Sequence, residues 1–295
     1  MPRYLLYNKP CGVTSFEALY PVKKALKTGK VGHTGTLDKF ASGLLIVLEG
    51  RALKLARFFS NCDKRYQALV RFGQETGTLD TEGEIVAEAP PPPLPALEQA
   101  LGAFRGAIMQ KPPAYSAIHI DGKRAYKLAR GKKADVDNRI AARPVTIYQL
   151  ELVSYAPEED GKTALAEISV HCSSGTYIRS LGRDIARACG SRAYLAALRR
   201  TAIGGFSLDN ASGPDDFLFR PVDRDCFSKL GIPSCGISAA AAQFLRHGRP
   251  LAHIQKSLAI PPGAECLALF SGNEMIALIE KQHDMWVYSF VNNVK

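Results

Sequence analysis

Five consecutive apolar residues, Leu44-Leu45-Ile46-Val47-Leu48, stand between Gly43 and Gly50. A run this short, closed by glycine at both ends, reads as a buried strand. The rest of the chain must therefore supply cover for it. Leading into the run is a segment, 32–43, in which Gly32, Gly35 and Gly43 surround one acid, Asp38. Glycines at this density let backbone approach a ligand closely. The segment is not a phosphate-binding P-loop, since no Gly-Lys-Ser/Thr follows, and its glycine spacing is not that of a dinucleotide fingerprint. Taken by itself, Asp38 reads first as a turn former or helix cap. Any catalytic reading has to come from its neighbours.

The surrounding pattern predicts a mixed α/β chain. Residues 3–7 are strand-like, and Lys9-Pro10-Cys11-Gly12 breaks them. A helix is predicted from Ser15, as N-cap, to Leu26, with Pro21 imposing a kink or a late start and Gly29 closing it. Strands are predicted at 66–72, 145–154 and 164–172, helices at 97–104 and 180–188, and a long ordered loop at 73–83. The prolines of 90–95 read as a stiff connector, with a docking segment for a proline-binding module as the alternative. A composition shift at Gly213-Pro214 opens a linker that runs to Ile232-Pro233, after which a compact, strand-rich pattern resumes. The expected domains are 1–233 and 234–295.

Charge narrows the partner. Thirty-eight Lys and Arg against 28 Asp and Glu leave +10 at neutral pH, which favours a polyanion. Seven cysteines without a C-x-x-C pair signal neither a zinc site nor a disulfide framework, so reduced thiols in the cytoplasm are expected. No stretch reaches the ~18 apolar residues of a membrane span, and the apolar part of the N-terminus is too short for a signal peptide's core. A soluble, unexported protein without membrane contact is the expectation.

Gly32-His33-Thr34-Gly35-Thr36-Leu37-Asp38, with Ala41 and Gly43-Leu44-Leu45, closely resembles the signature loop of the TruB family of tRNA pseudouridine synthases. Further blocks match in the same order. Lys9-Pro10 with Gly12 and Ser15 resembles the opening motif, and Lys64-Arg65-Tyr66 the segment with the active-site tyrosine. Thr76, Thr78, Asp80 and Gly83 fit a T-x-T-x-D-x-x-G loop. Residues 110–117, with Gly122, Ala125-Tyr126 and Ala129-Arg130, are similar to the central block. Gly175 to Leu181 resembles a strand bearing the active-site arginine, and Leu198-Arg199-Arg200-Thr201 the closing block. Together they span residues 3–205. Lys39-Phe40 stands where many members have a proline, and Ser42 where threonine is common; neither replaces a group that does chemistry.

The resemblance implies a pseudouridine-synthase fold, α/β with a largely antiparallel central sheet and a small, mostly β, PUA-like C-terminal domain. It implies isomerisation of uridine to pseudouridine at position 55 in the T-loop of tRNA, without cofactor or metal. Asp38 would be the catalytic carboxylate, as nucleophile or proton acceptor, with Arg179 beside it as a bidentate partner and Tyr66 stacking on the uracil. His33 would support the vacated base stack, Leu198 line the pocket, and Lys9, Lys64 and Tyr177 contact RNA. Two basic runs, Lys23-Lys24-Lys27-Lys30 and Lys123 to Lys133, are phosphate-binding candidates, and Arg183 and Arg187 share a helix face. The C-terminal piece is either an RNA-binding domain or a stabilising appendage. Short tails without Gly/Arg-rich arms favour a stand-alone monomer acting on the tRNA T-arm with no protein partner. The rivals are an RNA chaperone that keeps the cleft without the chemistry, and an RNA-guided enzyme of the same chemistry.

Overall fold

The computed structural model describes residues 2–116, 118–120, 123–124, 139–159, 163–213, 216–247, 249–255 and 257–292. Gly122, Ala125-Tyr126, Ala129-Arg130, Pro214, Gly248 and, apart from the backbone of Lys123 and Arg124, the second basic run lie outside them. The strands, in chain order, are β1 (Arg3–Lys9), β2 (Val31–His33), β3 (Ser42–Glu49), β4 (Lys64–Phe72), β5 (Gln74–Thr76), β6 (Ile85–Glu88) and β7 (Gly106–Gln110). They continue as β8 (His119–Ile120), β9 (Lys123–Arg124), β10 (Arg143–Pro157), β11 (Ala164–Cys172), β12 (Ala193–Ile203), β13 (Phe206–Ser207) and β14 (Phe219–Pro221). The main sheet runs β14-β1-β3-β12-β4-β11-β10-β7. Every neighbouring pair along it is antiparallel except β3–β12.

The apolar run of β3 is covered on both faces, as its composition requires. Leu44, Ile46 and Leu48 join one core with Tyr4 and Leu6, while Leu45 and Val47 join another with Leu5 and Tyr7. Helix α1 (Leu19–Leu26) closes the second core through Leu19 and Val22. It starts late because Pro21 lacks an N–H and fits only the first turn. Ser15 is not its cap, and Lys27 with φ +50° ends it before Gly29. Helix α2 (Ala56–Ser60) follows β3. Helices α3 (Leu94–Ala103) and α4 (Ile178–Ala188) lie over β4, β10, β11 and β12 and bury Leu97, Leu101, Leu181 and Ile185 there. Each such side chain contributes about 1.5–3 kcal/mol by leaving water. The proline connector is shorter than expected, since Leu94 and Pro95 already belong to α3.

The expected linker is structured: β14 pairs with β1, and α5 (Arg224–Lys229) follows, capped by Asp223. A second sheet begins at Ser234, with order β15 (Ser234–Gly236), β16 (Cys266–Ser271), β17 (Glu274–Gln282) and β18 (Met285–Val291). One face packs Phe270, Met275 and Leu278 against Leu44, Phe206 and Phe227 of the main body. The other carries α6 (Ala239–Arg246), capped by Ser238. Among the described residues no helix is long and apolar enough to cross a membrane.

Candidate active site

Asp38 lies in the loop between β2 and β3, and the opening segment holds that loop at several points. Ser15 Oγ accepts the Leu37 N–H at 2.8 Å and donates to the Leu37 carbonyl at 2.9 Å. Gly12 N–H donates to the Lys39 carbonyl, and the Ala41 N–H to that of Asp38. From the other side Arg200 on β12 donates through Nε to the Leu44 carbonyl at 2.8 Å and through Nη2 to the Gly35 carbonyl at 3.1 Å. Gly43, at φ +106°, permits this approach; a Cβ there would stand 2.3 Å from the Arg200 carbonyl oxygen.

Arg179 stands in the first turn of α4, not on a strand, and its side chain is 5% exposed. Its Nε is 2.9 Å from Asp38 Oδ2. The bidentate pair expected from the sequence does not form, because the other nitrogens are taken. Nη1 lies 3.2 Å from Asp80 Oδ2 and donates to the Thr78 carbonyl at 2.8 Å, while Nη2 donates to the Tyr115 carbonyl at 3.0 Å. Asp80 is buried and held by the Thr78 hydroxyl and the Glu82 N–H. Between the two groups that bind the guanidinium, Leu79 takes a left-handed φ of 64°, a conformation disfavoured for a branched side chain. One cation thus serves two carboxylates. Asp38, at 36% side-chain exposure, is the one a substrate can reach.

Enclosure on its protein side pushes the Asp38 carboxyl above the usual aspartate range; Arg179 opposes the shift and Asp80 adds to it. The Arg179 guanidinium favours the ionised carboxylate that the chemistry needs, which gives that pairing its chemical purpose.

A cavity of about 300 Å³ opens beside Asp38, with Tyr66, Leu198, Lys64, Arg200, Tyr177 and Arg179 among its walls. The strand period makes this possible. Lys64, Tyr66 and Ala68 point to the same buried face of β4, and Arg200 is the cross-strand neighbour of Tyr66 on β12. Burial raises the Tyr66 phenol, against the pull of Arg200, so the hydroxyl is neutral. Tyr177 carries Arg143 over its ring at 5.0 Å, and Gln110 bonds its N–H and carbonyl.

The structure therefore brings Asp38, Tyr66, Arg179, Lys64, Tyr177 and Leu198 around one cavity. Lys9 is not among the lining residues: it lies within electrostatic range of Asp38 and Arg200 but is fully buried and donates to the carbonyls of Pro10 and Val13, so it shapes the opening turn instead of meeting RNA. His33 is half-buried just before the loop; its Nδ1 accepts the Gly35 N–H, and burial, then Arg200, lower its pKa. Arg183 is buried on the Lys111 carbonyl and Arg187 pairs with Glu75, so both are structural contacts. Asp80 and Arg200 were given no separate role by the sequence reading. The T-x-T-x-D-x-x-G loop and the second arginine of the closing block were the signals available.

Residues 23–178 match the TruB family pseudouridylate synthase N-terminal domain. Proteins named tRNA pseudouridine synthase B are similar to this chain in sequence. That of Borreliella burgdorferi (strain ZS7) is 46% identical over 210 residues, covering 71% of this chain and 72% of its own. That of Bordetella avium is 47% identical over 212 residues, covering 70% and 83%. The chain belongs to the TruB family. Within this TruB chain the family match ends one residue before Arg179, so the roles of Arg179 and Arg200 rest on the geometry above. The TruB fold is also seen in a solved Cbf5-Nop10-Gar1 complex, at TM-score 0.66 and 24% identity, covering 99% of this chain and 84% of that one. A Nop10-Cbf5 complex of the archaeal box H/ACA sRNP aligns at TM-score 0.63 and 23% identity, covering 95% and 79%. At these identities the likeness is one of fold.

Proposed function

We propose that this chain isomerises uridine to pseudouridine at position 55, in the T-loop of tRNA, with Asp38 as the catalytic carboxylate. Relatives at 46–47% identity named tRNA pseudouridine synthase B support tRNA as the substrate. The observation that carries the reading is one reachable carboxylate, held by a buried guanidinium, at the wall of a cavity that also presents Tyr66 and Leu198.

The reaction breaks the N1–C1′ bond, turns the base and joins C5 to C1′, with no net oxidation. Asp38 adds to C1′ or takes a proton from the sugar. Tyr66 offers a ring for stacking, and its hydroxyl, kept protonated by burial, can relay the C5 proton towards N1 by passing on its own as it takes that one up. Drawing the uridine out of its stack costs a few kcal/mol, and His33 is assigned to support the gap. Phosphate binding is assigned to α1 and the turn that follows it, where Lys24, Lys27 and Lys30 are exposed; Phe16 and Tyr20 on the same segment are each 71% exposed. We read 1–233 as the catalytic domain and 234–295 as a PUA-like RNA-binding domain, in a cytoplasmic monomer that needs no protein partner.

The test is an unmodified T-arm hairpin incubated with the purified chain, with pseudouridine located by chemical mapping. Product at the expected T-loop uridine supports the reading; no product on the hairpin or on full-length tRNA overturns it. A second expectation concerns pH. The acid limb of the first-turnover rate lies above the ~3.9 of an ordinary aspartate, since Asp38 is shifted up. Asp80→Asn removes a negative charge and leaves more of Arg179 to Asp38, so the limb moves to lower pH. A rate–pH profile in which it stays or rises contradicts this coupling.

A further inference from the structure

Two cations back the cavity without a carboxylate between them. Lys64 and Arg200 both line it and both are buried. Among the described residues neither has an ion-pair partner: Lys64 Nζ donates to the carbonyls of Ser60 and Cys62, and Arg200 to those of Leu44 and Gly35. Carbonyl dipoles hold the two charges in place but do not neutralise them. Each guanidinium or ammonium also keeps donors beyond those bonds. Buried like charges are costly unless something negative completes the site.

The chemistry proposed above supplies that negative charge. Whichever way Asp38 acts, the electron pair of the N1–C1′ bond leaves with the uracil and spreads over N1, O2 and O4. The charge persists while the base turns and disappears when C5 joins C1′; the C5 proton then leaves and N1 takes one up, so the product is a neutral isomer. Asp38, on the wall of the same cavity, carries the wrong sign for this task. We propose that Lys64 and Arg200 form a cationic wall that stabilises the detached uracil anion between bond breaking and bond making. The inference rests on the pseudouridine-synthase reading and adds two charge-stabilising residues to it. The wall acts in the way of an oxyanion hole, with fixed donors aimed at charge that exists only after the bond has broken.

The lysine makes the wall testable by pH. Burial, and then Arg200, lower the Lys64 ammonium to about 8. The other groups facing it are Cys62, Asp63, Cys172 on β11 and Arg200 on β12. Cys62 is pushed up and Cys172 to about 11, both by burial, so the thiols stay neutral through this range. Asp63 contacts His171. Lys64 is therefore the member of this group that loses charge near pH 8.

The experiment measures first-turnover rates of the full chain on the T-arm hairpin, with Kd by filter retention and kcat/KM from pH 6 to 9.5 as ranges of assay. Lys64→Met is expected to slow the first turnover about 10²–10³-fold, the scale of a lost oxyanion donor, while Kd changes by less than about threefold. Lys64→Arg, which keeps charge and donors, is expected to recover most of the loss. It should also remove the alkaline fall in kcat/KM that the wild type shows near pH 8. A loss confined to Kd, a folded Lys64→Arg as slow as Lys64→Met, or an alkaline fall that persists in Lys64→Arg overturns the wall. Lys64 also ties down the end of α2, so thermal melting of Lys64→Met is recorded; if that variant is unfolded, the comparison of wild type with Lys64→Arg decides. Wild type without product sinks the underlying reading, whereas active wild type with an equally active Lys64→Met sinks only the wall.

Discussion

Asparagine at position 38 is expected to leave the RNA bound and its uridine unchanged. Asp38→Asn keeps the size of the side chain and its place in a loop held by Ser15, Gly12 and Arg200. It removes the charge that a nucleophile or proton acceptor needs, and the first-turnover rate should fall on the order of 10⁴-fold or more. Binding should change little, because the exposed Lys24, Lys27 and Lys30 are untouched and phosphate contacts dominate affinity. Gel shift and chemical mapping of the same hairpin separate the two quantities. Product at more than a thousandth of the wild-type rate would mean that another group carries the chemistry, and the assignment of Asp38 would be withdrawn.

The second large effect is that of Arg179→Met. This substitution leaves Asp38 and the buried Asp80 facing each other without a cation, and frees the carbonyls of Thr78 and Tyr115. Breaking a buried pair by removing one partner costs about 3–5 kcal/mol, so a fall in thermal stability should accompany the loss of rate. The sign of the pH effect is opposite to that of Asp80→Asn. In the wild type Arg179 lowers the Asp38 pKa, so its removal raises it, and the acid limb of any residual activity moves upward. A variant with wild-type stability and an unmoved limb would show that the ion pair does neither job.

How much of this was readable beforehand depends on how local the cause was. The run 44–48 announced a buried strand because each face of β3 meets its own core. Strand β12 was silent. Its buried residues Ala193, Leu195, Leu198, Arg200 and Ile203 advance by two and then slip by three, and the slips coincide with the register shifts near Ala197 and Ala202. A bulged strand has no clean period to find. Ser15 looked like a helix cap because serine often is one; its hydroxyl serves Leu37, a partner visible only in three dimensions. The same holds for the site. Asp38, Tyr66 and Arg179 were named through motifs, but the division of one guanidinium between two aspartates depends on a left-handed Leu79 that composition does not disclose. Lys9, read as an RNA contact, proved to be interior because an ammonium can be satisfied by carbonyls of its own turn.

The seat of Arg200 under the Asp38 loop also sets a clock. The Gly35 carbonyl and the guanidinium that holds it are 165 positions apart in the chain. At about 5–20 residues per second of synthesis, the loop leaves the ribosome roughly ten to thirty seconds before the strand that fixes it. Until then β3 lacks its β12 neighbour and β1 lacks β14. A nascent chain therefore carries its acid early but has no working pocket, and it becomes competent only when nearly three-quarters of it has been made.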